Sequence, residues 1–140
     1  MTYNVEVTLA KAADLPAADF NGKSDPYVVF TLGEHTRKSS VVTANVNPAW
    51  EPAEKFWFLT EDPHFTVLDV QVFDHDRFTK DDLIGSTTIS LGQFLEDGDS
   101  SNNNAAPGVR MYELVVPNLF ERQNRKSVVM LEIKVNKVDE

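Results

Sequence analysis

The 140 residues carry 22 acids against 13 bases, a net charge of −9 at pH 7, and 41 % of them are hydrophobic. That apolar share is ordinary for a chain with a packed core, which excludes disorder as the default state. The acidic balance argues against a basic nucleic-acid-binding surface and against unaided adsorption to anionic membranes, while the absence of cysteine excludes disulfides and thiolate metal sites.

A period of two governs the chain from its start. In YNVEVTL (3–9), Val5, Val7 and Leu9 alternate with Asn4, Glu6 and Thr8, the pattern of a strand buried on one face. Shorter apolar runs follow at 27–32 (YVVFTL), 39–42 (SSVV) and 55–59 (KFWFL). The alternation returns in TVLDVQVF (66–73), with Leu68, Val70 and Val72 on one face and Asp69 and Gln71 on the other. STTISL (86–91) and RMYELVV (110–116) read as further strands. VVMLEIKV (128–135) closes the series, with Val129, Leu131, Ile133 and Val135 inward.

One helical turn is predicted over SLGQFLE (90–96), where Ser90 and Gln93 have capping-box spacing. The polar stretch EDGDSSNNNAAPG (96–108) is expected to be a long surface loop inside a single domain spanning 1–140, because the strand pattern resumes after it. About eight short strands, divided by turn residues and without a long helical pattern, predict an all-β antiparallel β-sandwich. With no signal peptide, long apolar segment or lipidation motif in view, the expected location is the cytoplasm.

Acids gather in two loops beside strand ends. DLPAADFNGKSDPYV (14–28) carries Asp19 and Asp25, and VFDHDRFTKDDLIG (72–85) carries Asp74, Asp76, Asp81 and Asp82. A lone Asp in a turn usually bonds its own backbone. A sandwich, however, collects its loops at one end, so Asp19, Asp25, Asp74, Asp76 and Asp82 can share one volume. Their mutual repulsion there would be costly, and a bound cation would remove it. The donors are all hard oxygens, which disfavours zinc and copper. Adjustable carboxylates suit Ca²⁺, with about six to eight oxygen ligands, better than octahedral Mg²⁺. An EF-hand is excluded, because counting from Asp74 puts Thr79 where Gly is needed and Gly85 where Glu should close the loop.

Three segments in order, LPAADFNGKSDPYVVF (15–30), NVNPAWEPAEKFWF (45–58) and VFDHDRFTKDDLIGSTTISL (72–91), resemble the signature segments of the C2 domain. This is the calcium-dependent membrane-targeting module of synaptotagmins and conventional protein kinase C, and the resemblance runs from about Tyr3 to Val138. It implies an eight-stranded C2-like sandwich with calcium-binding loops at one end. The order of the first and last strands resembles the type II connection found in phospholipases. The calcium ligands it implies are Asp19, Asp25, Asp74, Asp76 and Asp82, with the backbone oxygens of Ala18 and His75 and the hydroxyl of Thr79, around two or three Ca²⁺. Asp81 is not a ligand position in the family and is read as a solvated neighbour.

The family's membrane-inserting positions fall on Phe20 and Phe78, flanked by Arg77 and Lys80 within reach of lipid phosphates. Trp50 is expected to pack at the sandwich edge. Many relatives carry a lysine-rich strand for phosphoinositides, but EHTRKSSVV (34–42) offers only Arg37 and Lys38.

Five carboxylates contribute −5 at the loop end; two Ca²⁺ bring this to −1 and three to +1. Each unit is worth roughly 1 kcal/mol near an anionic leaflet. The expected function is calcium-dependent binding to anionic, phosphatidylserine-like membranes, recruiting the protein or its cargo as calcium rises. The alternatives are a calcium-independent module with a protein partner, or a targeting domain excised from a larger signalling or trafficking protein. No enzyme is expected, since His35, His64 and His75 are scattered and no nucleophile motif accompanies them. No sequence feature calls for an oligomer.

Overall fold

Strands that alternate in this way each have one apolar face to bury, and two sheets closed face to face bury all of them at once. The computed structural model describes residues 2–19, 21–95, 108–123 and 126–138. Its eight strands are β1 (Tyr3–Ala13), β2 (Pro26–Leu32), β3 (His35–Lys38), β4 (Ala49–Thr60), β5 (Val67–Asp74), β6 (Asp82–Ser90), β7 (Arg110–Glu113) and β8 (Val128–Lys137). They form two four-stranded sheets, ordered β4-β1-β8-β7 and β3-β2-β5-β6. Every pairing is antiparallel. The first and last strands lie side by side in one sheet, the type II order expected from the sequence.

The inward faces meet as the alternation requires. Val5, Val7 and Leu9 of β1 and Val129 and Leu131 of β8 are fully buried, as are Leu68, Val70 and Val72 of β5. Phe30 of β2 packs on Phe56 of β4 across the sandwich, with ring centroids 5.1 Å apart. A bulge between Leu9 and Lys11 shifts the register of β1. It turns Lys11 outward and Ala12 into the core. Trp50 belongs to this core, its indole N–H donating to Ser40 O at 2.9 Å.

The structure departs from expectation in three places. The third strand is His35–Lys38 and not 39–42. Gly33, at φ +60°, makes a tight turn that pairs Leu32 directly with His35. The strand therefore starts earlier, and being fully exposed it shows no apolar alternation. Ser39 then substitutes its side chain for the ladder, its hydroxyl oxygen accepting from Val28 N–H at 2.8 Å.

The predicted helical turn is a 3₁₀ turn over Leu91–Phe94 in which Ser90 makes no side-chain cap. Gln93 Nε2 donates to Ser90 O instead. The strand expected over 110–116 stops at Glu113. Beyond it the chain crosses to the other sheet, where Val115 exchanges backbone hydrogen bonds with Ser86. Residues 96–107 of the expected surface loop lie outside the described residues.

Gly85 has a packing reason: a Cβ there would stand 3.1 Å from Leu114 Cδ1 and 3.3 Å from Leu114 Cβ. The centre of the core sets the stability. Phe30→Ala is expected to lower the unfolding free energy by about 3–5 kcal/mol in urea titration. Thr88→Ala, on an exposed site, should stay within about 0.5 kcal/mol.

Candidate metal centre

β5 ends at Asp74, β6 begins opposite it at Asp82, and β2 begins at Pro26, which pairs with Asp74. The two acidic loops, the first between β1 and β2 and the other (the third loop at this end of the sandwich, after the β3–β4 loop) between β5 and β6, are thus brought to one end of the sandwich by the ladder itself. A bulge between Val72 and Phe73 in the β5–β6 pairing leaves Ile84 as the extra residue and sets Asp82 across from Asp74.

The first loop is braced before it reaches its acids. Leu15 and Pro16 are buried, and the Ser24 hydroxyl donates to Pro16 O at 2.8 Å while accepting from Ala18 N–H at 3.0 Å. Asp19 heads a tight turn in which its carbonyl accepts from Gly22 N–H and its N–H donates to Lys23 O. Gly22 takes φ +76°, a conformation that favours glycine. Asp25 then ties three loops together. Its N–H donates to Asp74 Oδ1 at 2.7 Å, its carbonyl accepts from His75 N–H at 2.9 Å, and its Oδ1 accepts from Ala44 N–H at 2.6 Å.

The result is a cluster of three carboxylates. Asp19, Asp25 and Asp74 each offer an oxygen, and these oxygens lie within 4.8 Å of one another. Asp74 is fully buried. Its Oδ2 has no hydrogen-bond partner. Burial pushes its carboxyl up to about 6; the Asp25 N–H pulls against this, and the charges of Asp19 and Asp25 reinforce it. An orphaned buried carboxylate oxygen beside two more carboxylates fits a hard cation such as Ca²⁺.

Asp76 and Asp82 are not part of that set. Asp76 Oδ1 accepts from Phe78 N–H at 2.9 Å and Thr79 N–H at 3.2 Å, closing the loop tip. These bonds, the Phe78 N–H first, hold its carboxyl below the usual range. Asp82 is exposed beside the cluster. Ala18 and His75 each adjoin a cluster acid in the chain, Asp19 and Asp74. Phe78 is 88 % exposed, and Arg77, Thr79 and Lys80 around it are exposed too. Phe20 lies outside the described residues.

Asp81 is not the solvated neighbour expected from the sequence. Its Oδ1 accepts from Asp76 N–H at 2.9 Å, its Oδ2 accepts from the Tyr27 hydroxyl, and His75 Nδ1 stands 3.6 Å away. The Asp76 N–H, then the Tyr27 hydroxyl, lower its pKa. Burial, with Asp81 alongside, raises the Tyr27 phenol to about 12. Tyr27 also stacks on Phe73 with centroids 5.7 Å apart. Asp81 therefore fastens the third loop to β2 through a side chain. Its signal in the sequence was the tyrosine of SDPY, a residue that motif reading leaves without a partner.

The C2 domain family model matches residues 3–105. The chain belongs to the C2 domain family. Synaptotagmin-4 of Arabidopsis thaliana is 40 % identical over 97 residues, which are 68 % of this chain and 16 % of that protein. The chain thus spans about one sixth of that relative's length. A C2 domain of a plant Extended Synaptotagmin 1 superposes with a TM-score of 0.77 at 23 % identity, covering 98 % of this chain and 96 % of that one. The calcium-bound tandem C2 domains of Extended-Synaptotagmin 2 superpose with a TM-score of 0.69 at 26 % identity, covering 94 % and 45 %. The C2 domain is a non-catalytic module. Among the described residues of this C2 domain, no helix is long and apolar enough to cross a membrane.

The buried acid makes the metal-free C2 domain sensitive to pH. Asp74 titrates at about 6 when folded against an ordinary 3.8, so the folded state holds that proton more tightly. The stability it contributes is fully present below 3.8 and is lost as pH rises through about 6. Asp76 and Asp81, both lowered, act in the opposite sense and only below the usual range. Thermal unfolding of the metal-free protein is expected at higher temperature at about pH 5 than at about pH 7.5. Asp74→Asn, which keeps an acceptor for Asp25 N–H, should flatten that dependence and raise the melting temperature at the higher pH.

Proposed function

We propose that this chain is a single, non-catalytic C2 domain that binds Ca²⁺ at its loop end and thereby attaches to anionic phospholipid membranes. The observation that carries the proposal is the buried Asp74 Oδ2, unpartnered and within a group of three carboxylates. Asp19, Asp25 and Asp74 would hold the first ion. Asp76, Asp82, the Ala18 and His75 carbonyls and the Thr79 hydroxyl would complete the shell for two or three ions. Bound calcium supplies positive charge that cancels the field of these acids. The calcium-bound structure of Extended-Synaptotagmin 2 supports this choice of cation.

The chain's own residues do the rest. Phe78, bare at the loop tip, and Phe20 would enter the acyl boundary, adding roughly 1.5–3 kcal/mol each if fully buried. Arg77 and Lys80 would meet phosphates. Asp81 holds the third loop through the Tyr27 hydroxyl and the Asp76 N–H. Lipid and calcium then strengthen one another's binding by the same factor, as linkage requires. The protein would be cytoplasmic and become peripheral to the membrane, with any cargo, when calcium rises.

Sedimentation with phosphatidylserine vesicles, in calcium and in chelator, tests this directly. The wild type should pellet in calcium alone. Asp76→Asn should stay in the supernatant, whereas Phe20→Ala with Phe78→Ala should keep its calorimetric calcium signal yet pellet less. Equal pelleting in calcium and chelator would overturn the proposal. Absence of both heat and thermal shift at millimolar calcium would favour a calcium-independent interaction module.

A further inference from the structure

The segment joining β7 to β8 lies at the metal end of the sandwich, because β8 starts opposite Ala13, where β1 gives way to the first loop. Its 3₁₀ turn, Asn118–Gln123, is clasped to that loop by a side-chain amide. Gln123 Nε2 donates to Ala17 O at 2.9 Å, and Gln123 Oε1 accepts from Ala17 N–H at 2.8 Å. The amide imitates a strand edge and fixes the turn to Ala17, next to Ala18 and two positions before Asp19. Within the turn, Phe120 packs against the core while its neighbour Leu119 is 80 % exposed.

An exposed leucine alone is ordinary. Charge is the second observation. Residues 115–127 include three bases, Arg122, Arg125 and Lys126, against the single acid Glu121, in a chain whose net charge is −9. Lys126 is exposed. A rooted turn carrying one bare apolar side chain, in a locally basic stretch beside the metal loops, complements an anionic lipid surface. β3 carries only Arg37 and Lys38 as counterparts.

We propose that the β7–β8 segment is a further membrane-contacting element, with Leu119 entering the acyl boundary and Lys126 among anionic headgroups. It depends on the calcium-driven attachment proposed above, because it would be carried to the lipid by the first loop it is clasped to.

The chain has no cysteine, so single cysteines at Leu119, Phe78 and Phe65 can each take one polarity-sensitive fluorophore. Phe65 is 87 % exposed and sits at the opposite end, beside the start of β5. With phosphatidylserine–phosphatidylcholine vesicles and millimolar calcium, the labels at Leu119 and Phe78 should shift to the blue and the label at Phe65 should not. Leu119→Ser should lower vesicle partitioning roughly threefold to tenfold, and Lys126→Glu, a change of two charges, about thirtyfold. Calcium affinity without vesicles should stay unchanged in both. A shift at Phe78 with none at Leu119 overturns this element, pointing to a protein partner for Leu119, and leaves calcium-driven attachment standing. No shift at either position overturns both.

Discussion

A carboxylate enclosed at the end of a strand has to be held from several sides, and the loop end of this sandwich is arranged around that requirement. Asp74 is the one fully buried ionisable side chain among the described residues. Its Oδ1 takes the N–H of Asp25, and Asp25 in turn accepts from His75 and Ala44. One buried acid thus sets the spacing of three loops. Its other oxygen has no donor, which leaves the cluster electrostatically unfinished.

Around that cluster the remaining acids divide by task. Asp81 gives both oxygens to the Asp76 N–H and the Tyr27 hydroxyl, and Asp76 gives Oδ1 to the N–H groups of Phe78 and Thr79. These bonds give the third loop its shape while the protein is alone. Asp19, Asp25 and Asp74 concentrate charge that the fold does not neutralise. Crowding acids in one loop is therefore two arrangements in one: a hydrogen-bonded frame, and a group poised for a cation. The apolar tip at Phe78 follows from the frame, since its N–H is bound to Asp76 and its ring has no core to reach.

The parts legible in the sequence are those set by period and motif. Val5, Val7 and Leu9, or Leu68, Val70 and Val72, state their burial by alternation alone, and the two-sheet architecture follows. β3 was misplaced because an exposed edge strand has no apolar face to announce it; its position is fixed by the turn at Gly33. The convergence of Asp19, Asp25 and Asp74 was legible from motif spacing, while the burial that separates Asp74 from the others was not. Asp81 looked idle because its partner, Tyr27, lies 54 positions away. Gln123 gave no signal either: an amide bonding to a backbone 106 positions distant has no local pattern.

That last contact has a bearing on when the loop end comes into being. Gln123 precedes β8, and β8 pairs along nearly the whole of β1. The Ser127 hydroxyl likewise donates to Asp14 O across 113 positions. The first acidic loop is therefore braced by residues made more than a hundred positions after it. Contacts of such separation close late in folding, after their loop-closure entropy has been offset elsewhere. On the ribosome, the nascent chain would carry these acids without the clasp that seats them until Gln123 and Ser127 emerge. The seated first loop is a product of β8 and the turn that precedes it.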